Sequence, residues 1–296
     1  MLLLALLYVR KKDLPKIPAR YGWAFETKLE LAARLIEWLA GWARFLGKVL
    51  WVVVDGGYAK APFLKPAMAA GVTVVGRLRK DAGLRDLPRP VPAGKGRPPG
   101  RPPKYGKKRI SLAKRGGHPC GWTTEEFVLY GKRMAKTFKT FLATWEPAGG
   151  VIRVVLVKEQ TGWVAYFCTD PNATVAQVLE AVADRGAVEQ DFHDLKEVEG
   201  LGQQQVRNIW ANIGAFHLNL WVHALVEWWA WGKLKRVVCD RRASPWDDAT
   251  RRPSHADKRK ALQRQCLGEV FSGRGVPGPL AAKIQRVIRS VVQLVT

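Results

Sequence analysis

Arg185, Glu189 and Lys196 are spaced four and then seven residues apart. At 3.6 residues per turn, a helix brings all three within about 40° of one another on one face. A glutamate between two fixed cations is a carboxylate kept ionised. Such a group suits holding a divalent metal beside phosphate, because the cations favour its charged form and neutralise a nucleic-acid backbone. The same spacing also arises on an ordinary solvated helix face, so its meaning depends on what accompanies it. Asp55 is the second residue of this kind. It follows the apolar run Leu50-Trp51-Val52-Val53-Val54 and precedes Gly56 and Gly57. The run reads as a buried strand of the parallel type, and open α/β sheets place ligand sites at the carboxyl ends of their strands. Capping the next helix is the plainer use of an Asp there. A strand-end Asp together with a helical Glu supplies oxygen donors for two-metal phosphoryl transfer with Mg²⁺ or Mn²⁺.

Charge points the same way. The chain of 296 residues has 49 Lys and Arg against 25 Asp and Glu, a net charge of +24. Self-repulsion of that size implies a polyanionic partner, nucleic acid ahead of an anionic membrane surface. A hydrophobic content of 47% and 13 tryptophans exclude a disordered basic tail, and the length allows one large or two modest domains. Cys120, Cys168, Cys239 and Cys266 are scattered, with no CxxC pair. They read as reduced thiols of a cytoplasmic, nucleoid-associated protein rather than a zinc site or disulfide framework. The apolar residues 1–9 are too few to cross a membrane, and their cations follow the run where a signal peptide would have them in front. Residues 213–231 are interrupted by His217, Asn219, His223 and Glu227 and read as a buried helix. No membrane partner is expected.

Elements must hold these groups in place. Residues 2–9 read as a buried strand. Thr27 and Glu30 form a capping box ahead of a helical stripe of Leu29, Ala32, Leu35, Ile36 and Leu39. A strand at 50–54, a helix through Leu64 and Met68 and a strand at 72–78 complete an α/β unit. Residues 85–115 then carry eleven cations against the single acid Asp86, with seven prolines. They read as an extended basic arm, and Lys95, Arg97, Arg101, Lys104, Lys107, Lys108 and Arg109 are its candidate DNA contacts. Strands follow at 127–130 and 137–144, and 151–157 pairs with 163–168 as a hairpin. Thr174 and Gln177 make a second capping box, the 185–196 helix follows, and a long helix spans 203–231. Residues 241–259 read as a charged connector, and Ala281, Ile284, Ile288, Val291 and Val292 as a terminal amphipathic helix. His193 reads as a surface residue that could position DNA or water. Arg207 and the Gln203-Gln204-Gln205 run could contact DNA or simply start a helix. Trp210, Trp221, Trp228, Trp229 and Trp231 read as core and helix packing, with base stacking as the other use.

In this order the motifs resemble the DDE transposases of bacterial insertion sequences, in the class with a β-rich insertion between the second and third catalytic acids. That class carries a Tyr-x2-Arg-x3-Glu-x6-Lys signature, matched here at Arg185, Glu189 and Lys196, with Val182 in the Tyr position. Cys168-Thr169-Asp170-Pro171 resembles the lead-in to that signature, and Asp55-Gly56-Gly57-Tyr58 the strand end bearing the second catalytic Asp. The resemblance runs from about residue 2 to 231. It implies an α/β fold: an RNase H-like mixed sheet flanked by helices and interrupted by a β-rich insertion. The implied divisions are a first core part (1–80), the basic arm and insertion (81–170), the C-terminal core helices (171–235) and a basic connector with final helices (236–296). It further implies Mg²⁺ or Mn²⁺ at Asp55 and Glu189, with Arg185 and Lys196 in support. The implied partner is double-stranded DNA, both transposon ends and target, bound by a homodimer in a synaptic complex. The implied reaction is hydrolysis at a transposon end, then attack of the freed 3′-hydroxyl on target DNA. The family's first catalytic Asp lies on a strand upstream of both motifs. Asp13 sits in a basic turn and Asp170 in an Asp-Pro turn, so the expectation is an N-terminally truncated copy holding two of three acids. A non-catalytic DNA-binding remnant and an unrelated RNase H-like nuclease are the alternatives.

Overall fold

The computed structural model describes residues 4–89, 100–239, 246–248, 250–272 and 287. The chain forms two compact units: Leu6–Ala187, and the described residues of Met1–Ala5 with Val188–Thr296.

In the first unit, α1 (Lys28–Phe45) starts at the expected capping box, with Thr27 Oγ1 accepting the Glu30 N–H and Glu30 accepting the Thr27 N–H. The chain then forms β1 (Trp51–Val54), α2 (Ala61–Ala69) and β2 (Thr73–Leu78). The strands β1 and β2 pair in parallel, as the apolar runs predict. β1 stands at the end of the strand order, which is why three of its four residues are half-buried rather than fully buried. The sheet continues through β3 (Leu84–Arg85), β4 (Arg109–Ile110), β5 (Thr123–Leu129), β6 (Lys132–Trp145), β7 (Gly150–Glu159) and β8 (Gly162–Cys168). Its order is β1-β2-β8-β7-β6-β3-β4, with β5 on β6. The β-rich segment therefore joins the same mixed, eight-stranded sheet, because β8 pairs antiparallel with β2 from Val75 against Cys168 to Leu78 against Ala165.

Strand periodicity divides the core in two. Val74, Val154, Leu156 and Phe167 face α1 and α2, where Phe63, Leu64 and Ala67 are buried. Val75, Val155, Val157 and Cys168 face α4 (Val175–Asp184), with Val178, Leu179 and Ala183. Helices thus cover both faces of an α/β sheet. α4 begins at the second expected capping box, between Thr174 and Gln177.

The flanks of residues 85–115 depart from the extended arm expected of them. β3 and β4 pair with each other, and Asp86 gathers the Lys108 and Gly106 N–H groups at 2.9 and 3.0 Å. The helix α3 (Leu112–Gly117) follows, with Leu112 buried. Residues 90–99, in the middle of the segment, lie outside the described residues, while its ends are tied down by backbone pairing.

The second unit holds all but the first two residues of α5 (Gly186–Glu197), with α6 (Ile209–Ala230), α7 (Lys235–Val238) and α8 (His255–Ser272). Four further expectations are corrected here and at the N-terminus. The described part of 2–9 is not a strand: no strand pairs with it, Leu7 and Tyr8 are exposed, and the Ala5 N–H donates to His217 Nε2. The charged connector turns helical at His255. The tryptophans of α6 are not core, because Leu220, His223, Ala224 and Val226 fill its buried face; Trp210, Trp221 and Trp228 are exposed, as is Trp231 just beyond the helix. α6 also starts later than expected, since Asn208 caps it and leaves Gln203-Gln204-Gln205 outside. The expected terminal helix at 281–292 lies outside the described residues. Among the described residues, no helix is long and apolar enough to cross a membrane.

Candidate functional site

Asp55 is fixed by the strand that precedes it. Val54 lies opposite Gly76 in the parallel register, and Gly76 lies opposite Phe167 on its other side. A Cβ at Gly76 would stand 2.8 Å from the Phe167 ring and 2.9 Å from Val54, so only glycine lets these three strands close together. The chain then turns sharply, with the Tyr58 N–H donating to the Asp55 carbonyl at 2.9 Å. Tyr58 stacks edge-on against Phe63, whose side chain is buried in the core. The helix-capping use of Asp55 does not apply, because the N-cap of α2 is Lys60. Asp55 is exposed, and among the described residues no hydrogen bond or ion pair engages its carboxylate. It is an oxygen donor at a strand end that the fold leaves open.

The helix expected from Arg185 to Lys196 is divided. Arg185 is the C-cap of α4 with helical backbone angles, and α5 begins at Gly186. Glu189, in the first turn of α5, and Lys196, in its last, are seven residues apart on one face. Arg185, Glu189 and Lys196 are all exposed. Asp55 and Arg185 belong to the Leu6–Ala187 unit, and Glu189 and Lys196 to the other. His193 is a surface residue, 64% exposed, within 3.4 Å of Asp194. Asp170 serves its turn by accepting the Asn172 N–H at 2.8 Å, while Asp13 is a half-buried acid of a short 3-10 helix, held by Arg10 and Lys16.

Of the candidate DNA contacts, Lys95 and Arg97 lie outside the described residues. Arg101, Lys104, Lys107, Lys108 and Arg109 are all exposed. The structure adds Lys80, Lys114 and Arg115 to these cations. A cleft of about 650 Å³ is lined by Lys80, Lys108, Arg109, Lys114 and Arg115, with Asp81 and Asp86 beside them. Both acids are already engaged: Arg79 grips Asp81 with two bonds of 3.0 Å, and Asp86 accepts the Lys108 N–H. The cleft is therefore cationic. Aromatic rings carry three of the neighbouring cations, with Lys80 over Trp163 at 5.0 Å, Arg115 over Phe141 at 4.1 Å and Lys139 over Trp122 at 4.6 Å. Lys139 Nζ also donates to the Arg115 and His118 carbonyls, tying α3 to β6. Rings beneath cations limit their rotamers while leaving N–H groups available to phosphate. The run Arg77-Leu78-Arg79-Lys80 was the sequence signal for this end of the cleft. The pairing of cations with Trp122, Phe141 and Trp163 had none, since it depends on strand register.

Comparison with known families agrees with this geometry. Residues 8–139, under half of the chain, match the family model described as DDE superfamily endonuclease, which supports a DDE transposase-type domain. The matched segment contains Asp55 and most of the basic cleft, while Arg185, Glu189 and Lys196 lie beyond it. No curated protein matches the chain.

Proposed function

We propose that this chain is a transposase catalytic domain that cleaves DNA and transfers strands with the help of divalent metal. The family match supports a transposase or nuclease-type enzyme acting on DNA. The observation that carries the finer reading is Asp55: an exposed carboxylate, engaged by no described residue, at the carboxyl end of a parallel strand inside the matched segment.

Its donor chemistry fits the metal such an enzyme uses. Carboxylate oxygens suit Mg²⁺ or Mn²⁺, and in this reading Asp55 and Glu189 each serve as metal ligands. When bound, the metal supplies charge stabilisation at the attacking and leaving oxygens. The remaining roles belong to the chain's own side chains. Arg185 and Lys196 support Glu189 and contact the DNA backbone. Lys80, Lys108, Arg109, Lys114 and Arg115 steer DNA into the cationic cleft and hold its phosphates, giving affinity without sequence preference. The partner is double-stranded DNA, as transposon ends and as target, engaged by a homodimer in the cytoplasm.

The test is nicking of supercoiled plasmid with and without Mg²⁺ or Mn²⁺, with DNA binding followed by gel shift. Metal-dependent nicking that Asp55→Asn abolishes while binding persists supports the enzyme. Tight binding with no nicking in either metal replaces it with the non-catalytic DNA-binding remnant.

A further inference from the structure

In the second unit, His223 and Glu227 sit one turn apart on α6 and so share a face. His255 opens α8 and packs against both. One ligand atom from each of these residues lies within 4.8 Å of the other two. His223 and His255 are 1% and 3% exposed, and their rings are stacked 4.1 Å apart. His255 Nδ1 is 2.7 Å from Glu227 Oε1, and its Nε2 is 2.9 Å from Glu199 Oε1. Lys258 donates to the second oxygen of Glu227.

One member of the cluster is unexplained by these bonds. Neither ring nitrogen of His223 has a hydrogen-bond partner among the described residues. Buried polar side-chain atoms are nearly always partnered, so an imidazole with both nitrogens bare indicates a missing ligand. A proton between His255 and Glu227 satisfies that pair and leaves His223 as it is. A cation at the shared centre satisfies all three.

We propose that His223, Glu227 and His255 form a binding site for one transition-metal dication of the zinc class. Two imidazole nitrogens and one carboxylate suit zinc and are a poor set for Mg²⁺, so this site differs in chemistry from the oxygen donors of Asp55 and Glu189. Its outer shell is already in place. Glu199 accepts from His255 Nε2, which leaves Nδ1 for the metal, and carboxylate–histidine–metal arrays are built in this way. Lys258 holds the Glu227 oxygen that the metal does not need. Loading requires only side-chain movement. His223 turns about its ring torsion, and the contact between Glu227 and His255 opens from 2.7 Å to roughly 3.3 Å, as tetrahedral zinc with ligands near 2 Å demands. The ion joins α6 to the first turn of α8, and its binding free energy becomes folding free energy of this unit.

The full chain, stripped with chelator and dialysed, is titrated with Zn²⁺ alone while metal content and thermal midpoint are measured; Co²⁺ in its place reports coordination by its visible absorption. One zinc per chain, a raised midpoint and a tetrahedral cobalt spectrum are expected, all unmoved by excess Mg²⁺ and retained in Asp55→Asn. His223→Gln loses the site, and Glu199→Gln weakens it by about 10–100-fold. Should His223→Gln fail to fold, Glu199→Gln and the cobalt spectrum decide. A stripped chain that takes up no zinc, or a Glu199→Gln variant that binds as tightly as the unmodified chain, overturns the proposal.

Discussion

Gly76 and Phe167 face each other across the antiparallel pairing of β2 and β8, so closely that a Cβ on Gly76 would stand 2.8 Å from the ring. The Phe167 side chain is fully buried and cannot move aside. Gly76→Ala is therefore expected to destabilise the sheet by about 1–3 kcal/mol, as overpacking of a filled core does. Equilibrium urea denaturation checks it. Because Val54 meets the same site at 2.9 Å, the substitution also shifts the strand end that carries Asp55, and cleavage falls further than stability alone explains.

The cationic cleft makes a prediction about salt. Lys80 and Arg115 line it and rest on Trp163 and Phe141. Each phosphate contact releases counterions, so Lys80→Ala and Arg115→Ala should each lower the slope of log affinity against log salt by about 1. The loss should be uniform across DNA sequences. Fluorescence anisotropy over a salt series measures both, and a loss confined to one sequence contradicts phosphate binding.

Cys168 gives a dependence on alkaline pH. Burial pushes its thiol up to about 11 from an ordinary value of 9.0. A raised pKa means that the folded chain holds its proton more tightly than the unfolded one. Its contribution is fully present below pH 9.0 and is lost as pH rises towards 11. The loss is up to about 2–3 kcal/mol and disappears in Cys168→Ala when stability is followed by denaturation across that range. In the native chain, Cys168 should also resist thiol reagents that label the exposed Cys120 and Cys266.

Asn208 caps α6 by accepting the Trp210 and Ala211 N–H groups at 2.8 and 3.3 Å. Asn208→Ala should cost about 1 kcal/mol of stability in the second unit, while Asn208→Gly costs only a few tenths. Thermal denaturation followed by circular dichroism separates the two.

What the sequence made legible was local. The capping boxes at Thr27 and Thr174 and the strand ending at Asp55 depend on neighbours a few residues away, and the structure holds them where the spacing put them. The hairpin of β7 and β8 was visible for the same reason. Readings that turned on tertiary partners fared differently. The apolar residues before Arg10 looked like a strand, but among the described residues no strand pairs with 4–9. The tryptophans of α6 looked like core, but the helix is apolar all round and periodicity could not say which face is covered. The cluster of His223, Glu227 and His255 had one local trace, the four-residue spacing on α6. Its third member comes from 28 residues further on. At the candidate active site, the strand end at Asp55 and the exposed face of Glu189 and Lys196 could be read from spacing, and the rings beneath the cations could not.

In the proposed enzyme, Glu189 and Asp55 serve chemistry rather than binding. Single-turnover cleavage of duplex DNA in Mg²⁺, with affinity measured on the same preparations, tests it most directly for Glu189→Gln. Cleavage is expected to fall by about 100-fold or more, as loss of alignment at a reacting phosphate does, while DNA affinity stays within a few-fold. Cleavage that survives Glu189→Gln undiminished, or that disappears only because DNA is no longer bound, would contradict it.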